Sequence, residues 1–217
     1  MNELRVEVRH ELPGWTLVWT ELELEGGGEA ALGALRAGVA VRTRVSHAPE
    51  RLAEHPTAAA VRRLFRQAGC DPTRHRPSSE ALLRRILKGD ELPAIHPFVD
   101  LNNCLSVSLV VPACVMALGS ALPPFTLRAG KPGESMLSMR GPYELHGKPL
   151  LADGSGPFGT PITDSERVRV GSGTKRVWLV AYLPSGVVDA ACAASTLAGL
   201  LDEAPVARAV ASCVTQS

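Results

Sequence analysis

Arg76-Pro77-Ser78-Ser79-Glu80-Ala81-Leu82-Leu83-Arg84-Arg85-Ile86-Leu87-Lys88-Gly89, continuing into Leu92-Pro93-Ala94-Ile95-His96-Pro97-Phe98-Val99-Asp100-Leu101-Asn102-Asn103, holds the backbone changes that decide the fold class. Ser78 or Ser79 is a helix N-cap, because a hydroxyl there satisfies an otherwise orphaned N–H. Leu82, Leu83, Ile86 and Leu87 make the apolar face, and Arg84, Arg85 and Lys88 lie on the other face or near the end. Late positive charge suits the helix dipole, and Gly89 stops the helix. Pro93 and Pro97 bracket His96, so Phe98 to Leu101 reads as short and extended. Asn102-Asn103 before the apolar run Cys104 to Val111 reads as the start of another helix, ended at Pro112.

Outward from this stretch, helices and strands are mixed. Leu4, Val6 and Val8 alternate with charges, which predicts a half-buried strand over 3–9. Trp15 to Leu24 is a second strand after the Pro13-Gly14 turn. Gly26-Gly27-Gly28 lacks the Lys-Ser/Thr of a phosphate loop and reads as a flexible turn. A short helix over 29–37 and a β-branched strand over 39–45 follow. Pro49 opens a helical segment, Thr57 caps its second piece, and Gly69 ends it. Residues 123–151 read as short strands joined by turns, and 154–159 as a loop. Residues 167–170 and 177–183 read as strands, 187–201 as a helix, and 204–214 as its continuation or another helix. No regular βαβ alternation is present, so the expected class is α+β in a single compact domain over 1–217.

Composition narrows the function. Of 217 residues, 45% are hydrophobic and 4% aromatic, which fits a globular core and argues against a stacking surface. Twenty-three Lys and Arg face 22 Asp and Glu, a net charge of +1 and not that of a dedicated nucleic-acid binder. The distribution is uneven: residues 1–29 carry −5, residues 30–89 carry +8, and residues 90–217 carry −2. The middle segment can therefore present a basic face, or simply the solvated faces of Arg-rich helices. No apolar run is long enough to span a membrane, and the N-terminus is not a signal peptide. Five dispersed cysteines without a Cys-x-x-Cys pair read as reduced thiols in a cytoplasmic protein. Six histidines lack metal-ligand spacing, so no metal and no cofactor is expected.

Two segments concentrate polar side chains at turns: 96–103 and 156–167. Asn102 and Asn103 at a helix start would display amides beside free N–H groups, a combination that binds a carboxylate, a phosphate or an oxyanion, or else is a plain cap. Asp100 would orient an amine or an Arg, or close an Asx turn. Thr160, Thr163, Asp164 and Ser165 would line a polar pocket, or bond to their own turn. Gly-Ser-Gly at 154–156 and 171–173 does not fit the Gly-x-Ser-x-Gly elbow of an esterase. Cys114, beside Pro112, is a buried inert thiol or a nucleophile.

The 76–103 stretch with Ser106-Val107-Ser108, together with Asp164-Ser165-Glu166-Arg167 and Thr174-Lys175-Arg176-Val177, resembles the free-standing form of the B3/B4 domain of the phenylalanyl-tRNA synthetase beta subunit. The resemblance covers about residues 45–200, with 1–44 as an extension. It implies an α+β fold containing a β-sandwich of unusual topology flanked by helices. It also implies a tRNA-associated protein that hydrolyses mischarged aminoacyl-tRNA in trans, or, alternatively, a non-catalytic module binding tRNA, an amino acid or a protein. Asn102 and Asn103 then become the catalytic candidates. Asp100, Cys114, Gly159, Thr160, Asp164 and Ser165 become the substrate-binding candidates, and Arg76, Arg84 and Arg85 the tRNA contacts. Cys114 stands where the editing domain has a His, and Trp178 to Ala181 supply no acid where that domain reads a tyrosine hydroxyl.

Overall fold

The computed structural model describes residues 5–217 and the backbone of Asn2 and Glu3. Its centre is a five-stranded sheet of β1 (Asn2–Glu3), β11 (Ala207–Gln216), β3 (Trp15–Leu24), β10 (Arg176–Pro184) and β4 (Ala113–Ala117), in that spatial order. β1 runs parallel to β11, and the other neighbours are antiparallel. A second sheet orders β2 (Val8–His10), β5 (Phe125–Ala129), β8 (Pro149–Asp153) and β9 (Gly156–Gly159). β6 (Ser135–Ser138) and β7 (Gly141–Glu144) form a separate hairpin.

The central sheet divides the interior. Successive residues of a strand point to opposite faces, so β10 sends Val177, Leu179, Ala181 and Leu183 into one core and Trp178, Val180 and Tyr182 into another. The first core lies under α1 (Glu29–Ser46), α3 (Ser78–Leu87), α4 (Pro97–Leu109) and α5 (Ala190–Glu203). The second joins the sheet to its partner through Phe125, Leu127, Leu151 and Phe158, with α2 (Pro56–Ala68) adding Val61, Leu64 and Phe65. This is the expected α+β sandwich flanked by helices. Trp19 stacks on Phe125 at 5.2 Å, and Trp178 meets both edge-on at 5.9 and 5.5 Å. Such pairs add about 1 kcal/mol each beyond area burial.

β3, α3 and β10 form where the sequence predicts them, whereas other segments differ, among them the loop expected over 154–159, whose residues 156–159 are β9. The strand expected over 39–45 is the second half of α1. Leu32, Leu35, Val39, Ala40 and Thr43 are buried along one helical face, and that period overrides the β-branched preference. The extended piece expected at 98–101 is the first turn of α4. His96 caps this helix by accepting from the Phe98 N–H at 3.3 Å, and Pro97 takes the first position. Residues 167–170 are not a strand: 166–168 form a 3₁₀ turn capped by Ser165. Residues 207–216 are β11 rather than helix, because pairing with β3 outweighs the helical preference of their alanines. The N-terminal strand expected over 3–9 is split between the two sheets as β1 and β2, and its Leu4 lies outside the described residues.

Candidate functional site

Helix α4 is central to the helical side. Its flanks meet α1, α3, α5 and β4, and Ser108 is its one exposed residue. A helix buried all round has little amphipathic period, which is why the sequence hides it. Asp100 sits one turn inside it. Its Oδ1 accepts from the Ile95 N–H at 2.9 Å and the His96 N–H at 3.4 Å, and its Oδ2 accepts from Arg36 of α1. Asp100 thus closes the helix start and ties two helices together.

Asn102 and Asn103 follow within the helix, not at its start. Their backbone N–H groups belong to the helical ladder, so the expected anion site of free amides is not formed. The physical reason is the His96-Pro97 cap, which begins the helix five residues earlier. Both side chains are buried. Asn102 donates from Nδ2 to the Ala113 carbonyl at 3.3 Å, and its Oδ1 is buried without a partner.

Across the sheet the picture changes. Cys114, one residue beyond that carbonyl, points into the sandwich core, with Sγ 3.7 Å from the Tyr182 hydroxyl. Asp164 follows the turn after β9. The residue is partly covered as a whole, but its Oδ1 is buried and unpartnered. Burial pushes its carboxyl up to about 8, with the Thr160 N–H pulling the other way. Burial also raises the Cys114 thiol and the Tyr182 phenol well above their ordinary values, and a charge on Asp164 adds to both. Burial thus disfavours the charged form of all three groups near pH 7. Cys114 is accordingly not a thiolate nucleophile at that pH.

Gly159 allows this arrangement. A Cβ there would stand 2.9 Å from Asp164 Oδ1. Thr160 is occupied by its own turn: its Oγ1 donates to the Thr163 carbonyl at 2.8 Å and accepts from the Ile162 and Thr163 N–H groups. Ser165 donates to the Leu137 carbonyl at 3.1 Å and caps the 3₁₀ turn. The structure thus brings Cys114, Gly159 and Asp164 together on the sandwich side, with Asn102 reaching the residue before Cys114. It leaves Asp100 on the helical side of the sheet. Tyr182, which the sequence reading did not single out, completes the cluster, and the face it shares with Trp178 and Val180 along β10 is the signal that places it.

Of the three arginines expected to meet tRNA, Arg84 donates to Glu80 at 3.0 Å and Arg76 lies 3.6 Å from it, whereas Arg85 turns to Asp90 at 3.7 Å. Arg62 of α2 joins Glu80 as well, at 2.8 Å. Only the packing of α2 on α3 reveals that partner. Two surface pockets of about 540 Å³ each lie elsewhere. One is lined by Val6, Glu7 and Val214, the other by Ser120, Asp153 and Arg167. Among the described residues, no three His, Cys, Asp or Glu are grouped to hold a metal ion, and no helix is long and apolar enough to cross a membrane.

The model of the B3/4 domain matches residues 60–195. The chain belongs to the B3/4 domain family. The B3/4 region runs from within α2 to within α5, so it holds Cys114, Gly159, Asp164 and the Glu80 arginines. It leaves α1, β3 and β11 outside, although β3 and β11 build the central sheet. Among solved structures the chain is similar to an N-terminal fragment of the phenylalanyl-tRNA synthetase beta-subunit from Pyrococcus horikoshii, at 14% identity and a TM-score of 0.49. That likeness covers 99% of this chain and 55% of the fragment, so the chain spans about half of the fragment's length. None of the curated proteins matches the sequence.

Proposed function

We propose that this B3/4 domain associates with tRNA and hydrolyses the ester of mischarged aminoacyl-tRNA, with Asp164 as the group that takes the aminoacyl amine. The observation that carries this reading is the unpartnered, buried Oδ1 of Asp164. A carboxyl held neutral by burial ionises when a cation is placed against it, because the ion pair replaces lost hydration. The α-ammonium of an aminoacyl ester is such a cation. Its pairing with Asp164 would set the ester carbonyl near Cys114, on the sandwich side of β4.

The chemistry then asks little more of the protein. Water adds to the ester carbonyl, the bond to the ribose oxygen breaks, and the proton passes to that oxygen. Positioning of an activated ester supplies much of such a rate. Asn103, Thr160 and Ser165 shape the site rather than act in it. The test is a panel of aminoacyl-tRNAs incubated with micromolar protein. Deacylation of at least one of them is expected, and no deacylation above background for any would end the hydrolytic reading.

A second reading, binding without turnover, is favoured by one observation. Burial holds Cys114 as a neutral thiol, and Trp178 to Ala181 carry no acid. It expects saturable binding of aminoacyl-tRNA with an unchanged ester lifetime.

A further inference from the structure

We infer that Arg62, Arg76 and Arg84, gathered on the Glu80 carboxylate, form a clamp for a backbone phosphate of RNA. Glu80 is only 2% exposed and lies between α2 and α3. Arg62 reaches both of its oxygens from α2, at 3.0 and 2.8 Å, and holds Thr73 Oγ1 with its other Nη at 3.2 Å. Arg84 and Arg76 meet the same carboxylate through Nε. Among the described residues, the Nη groups of Arg76 and Arg84 make no hydrogen bond.

One carboxylate cannot neutralise three guanidiniums, so the cluster keeps two surplus positive charges. It also keeps them oriented. A guanidinium fixed at Nε offers its two Nη groups as a fork, the geometry that matches two phosphate oxygens. Burial of Glu80 strengthens its hydrogen bonds with Arg62 and Arg84, while Arg76 and Arg84 stay at the surface, 44% and 33% exposed.

The surroundings indicate an extended ligand. From Pro56 to Lys88 there are eight Lys and Arg against Asp71 and Glu80. Arg63, Arg66, Arg74 and Lys88 are exposed. With these exposed neighbours the cluster belongs to a broad basic face, which suits a ligand carrying several phosphates. The RNA partner rests on the tRNA-associated reading above, whereas the clamp geometry does not.

The experiment titrates the full chain with fluorescently labelled, uncharged tRNA over a range of salt concentrations. The double variant R76A/R84A should weaken binding about tenfold near 0.1 M salt and lower the slope of log K against log salt by about one. Arg208→Ala, on the far end of the central sheet, should leave both unchanged. Glu80→Gln separates an organised clamp from loose charge. It adds net positive charge, so a diffuse patch would bind tighter, whereas loss of orientation should weaken binding. If the alanine pair does not fold, R76K/R84K keeps the charge, removes the forks, and should shift binding in the same direction.

Unchanged affinity and slope in R76A/R84A, or tighter binding by E80Q, would overturn the clamp. So would wild-type binding of inorganic phosphate or polyglutamate in place of tRNA. Arginine-dependent tRNA binding without deacylation removes only the hydrolytic reading. Deacylation that is indifferent to these arginines removes only the clamp.

Discussion

Asp100 and Asp164 are both folded into the protein interior, on opposite sides of one sheet. Asp100 receives two backbone N–H groups and a guanidinium, so its carboxylate is fully answered by the chain itself. Asp164 keeps one oxygen buried and unanswered beside Cys114 and Tyr182. Burying a polar group without partners costs free energy, and most proteins avoid it. The first aspartate is explained by the fold. The second is what the proposed amine-binding role would explain.

The largest effect should come from breaking the answered aspartate. Asp100→Ala leaves Arg36 and two N–H groups without their acceptor, and should cost about 3–5 kcal/mol in urea denaturation. A cost below about 1 kcal/mol would mean that Asp100 is as unsupported as Asp164, and the contrast would collapse.

The unanswered aspartate should behave in the opposite way. Its folded pKa of about 8 lies above the ordinary 3.8, so the folded chain holds the proton more tightly. The stability present below pH 3.8 is then lost as pH rises towards about 8, and the loss levels off above it. Because the residue as a whole is partly covered rather than sealed, the loss should be on the order of 2 kcal/mol. Asp164→Asn should remove this pH dependence and be more stable than wild type at pH 8. Denaturation curves at pH 5 and pH 8 check it, and an equal pH dependence in both proteins would place the proton elsewhere.

The smallest effect sharpens the contrast at Cys114. If the thiol is only a neutral neighbour of Asp164, native protein treated with a thiol reagent at pH 7.5 should be modified at the exposed Cys192 and spared at Cys114. Cys114→Ala should cost about 1 kcal/mol and keep any deacylation. Fast modification of Cys114 would show a reactive thiolate, and the acid cluster would need another description.

Much of this fold is written locally. Trp15 to Leu24 and Val177 to Leu183 are strands because apolar, β-branched residues fill them, and α3 is a helix because its leucines recur on one face. The misread segments share a cause, which is that their environment lies far away in sequence. α4 lacks a clear amphipathic period because three helices and a strand surround it, and β11 is a strand despite its alanines because β3 supplies its pairing. The site divides in the same way. Gly159 and Asp164 stood out as a polar turn. That Thr160 and Ser165 are used up by that turn, that Tyr182 faces Asp164, and that Arg62 shares Glu80 all depend on contacts between distant elements.

The most direct test is deacylation of the mischarged aminoacyl-tRNA panel by wild-type protein and Asp164→Asn, with folding of both checked by circular dichroism. Wild type should hydrolyse at least one ester, and the variant should be slower by about 100-fold, because the amine would lose the carboxylate proposed to hold it. Equal rates for the two proteins would contradict the assignment of Asp164 as the amine-binding group.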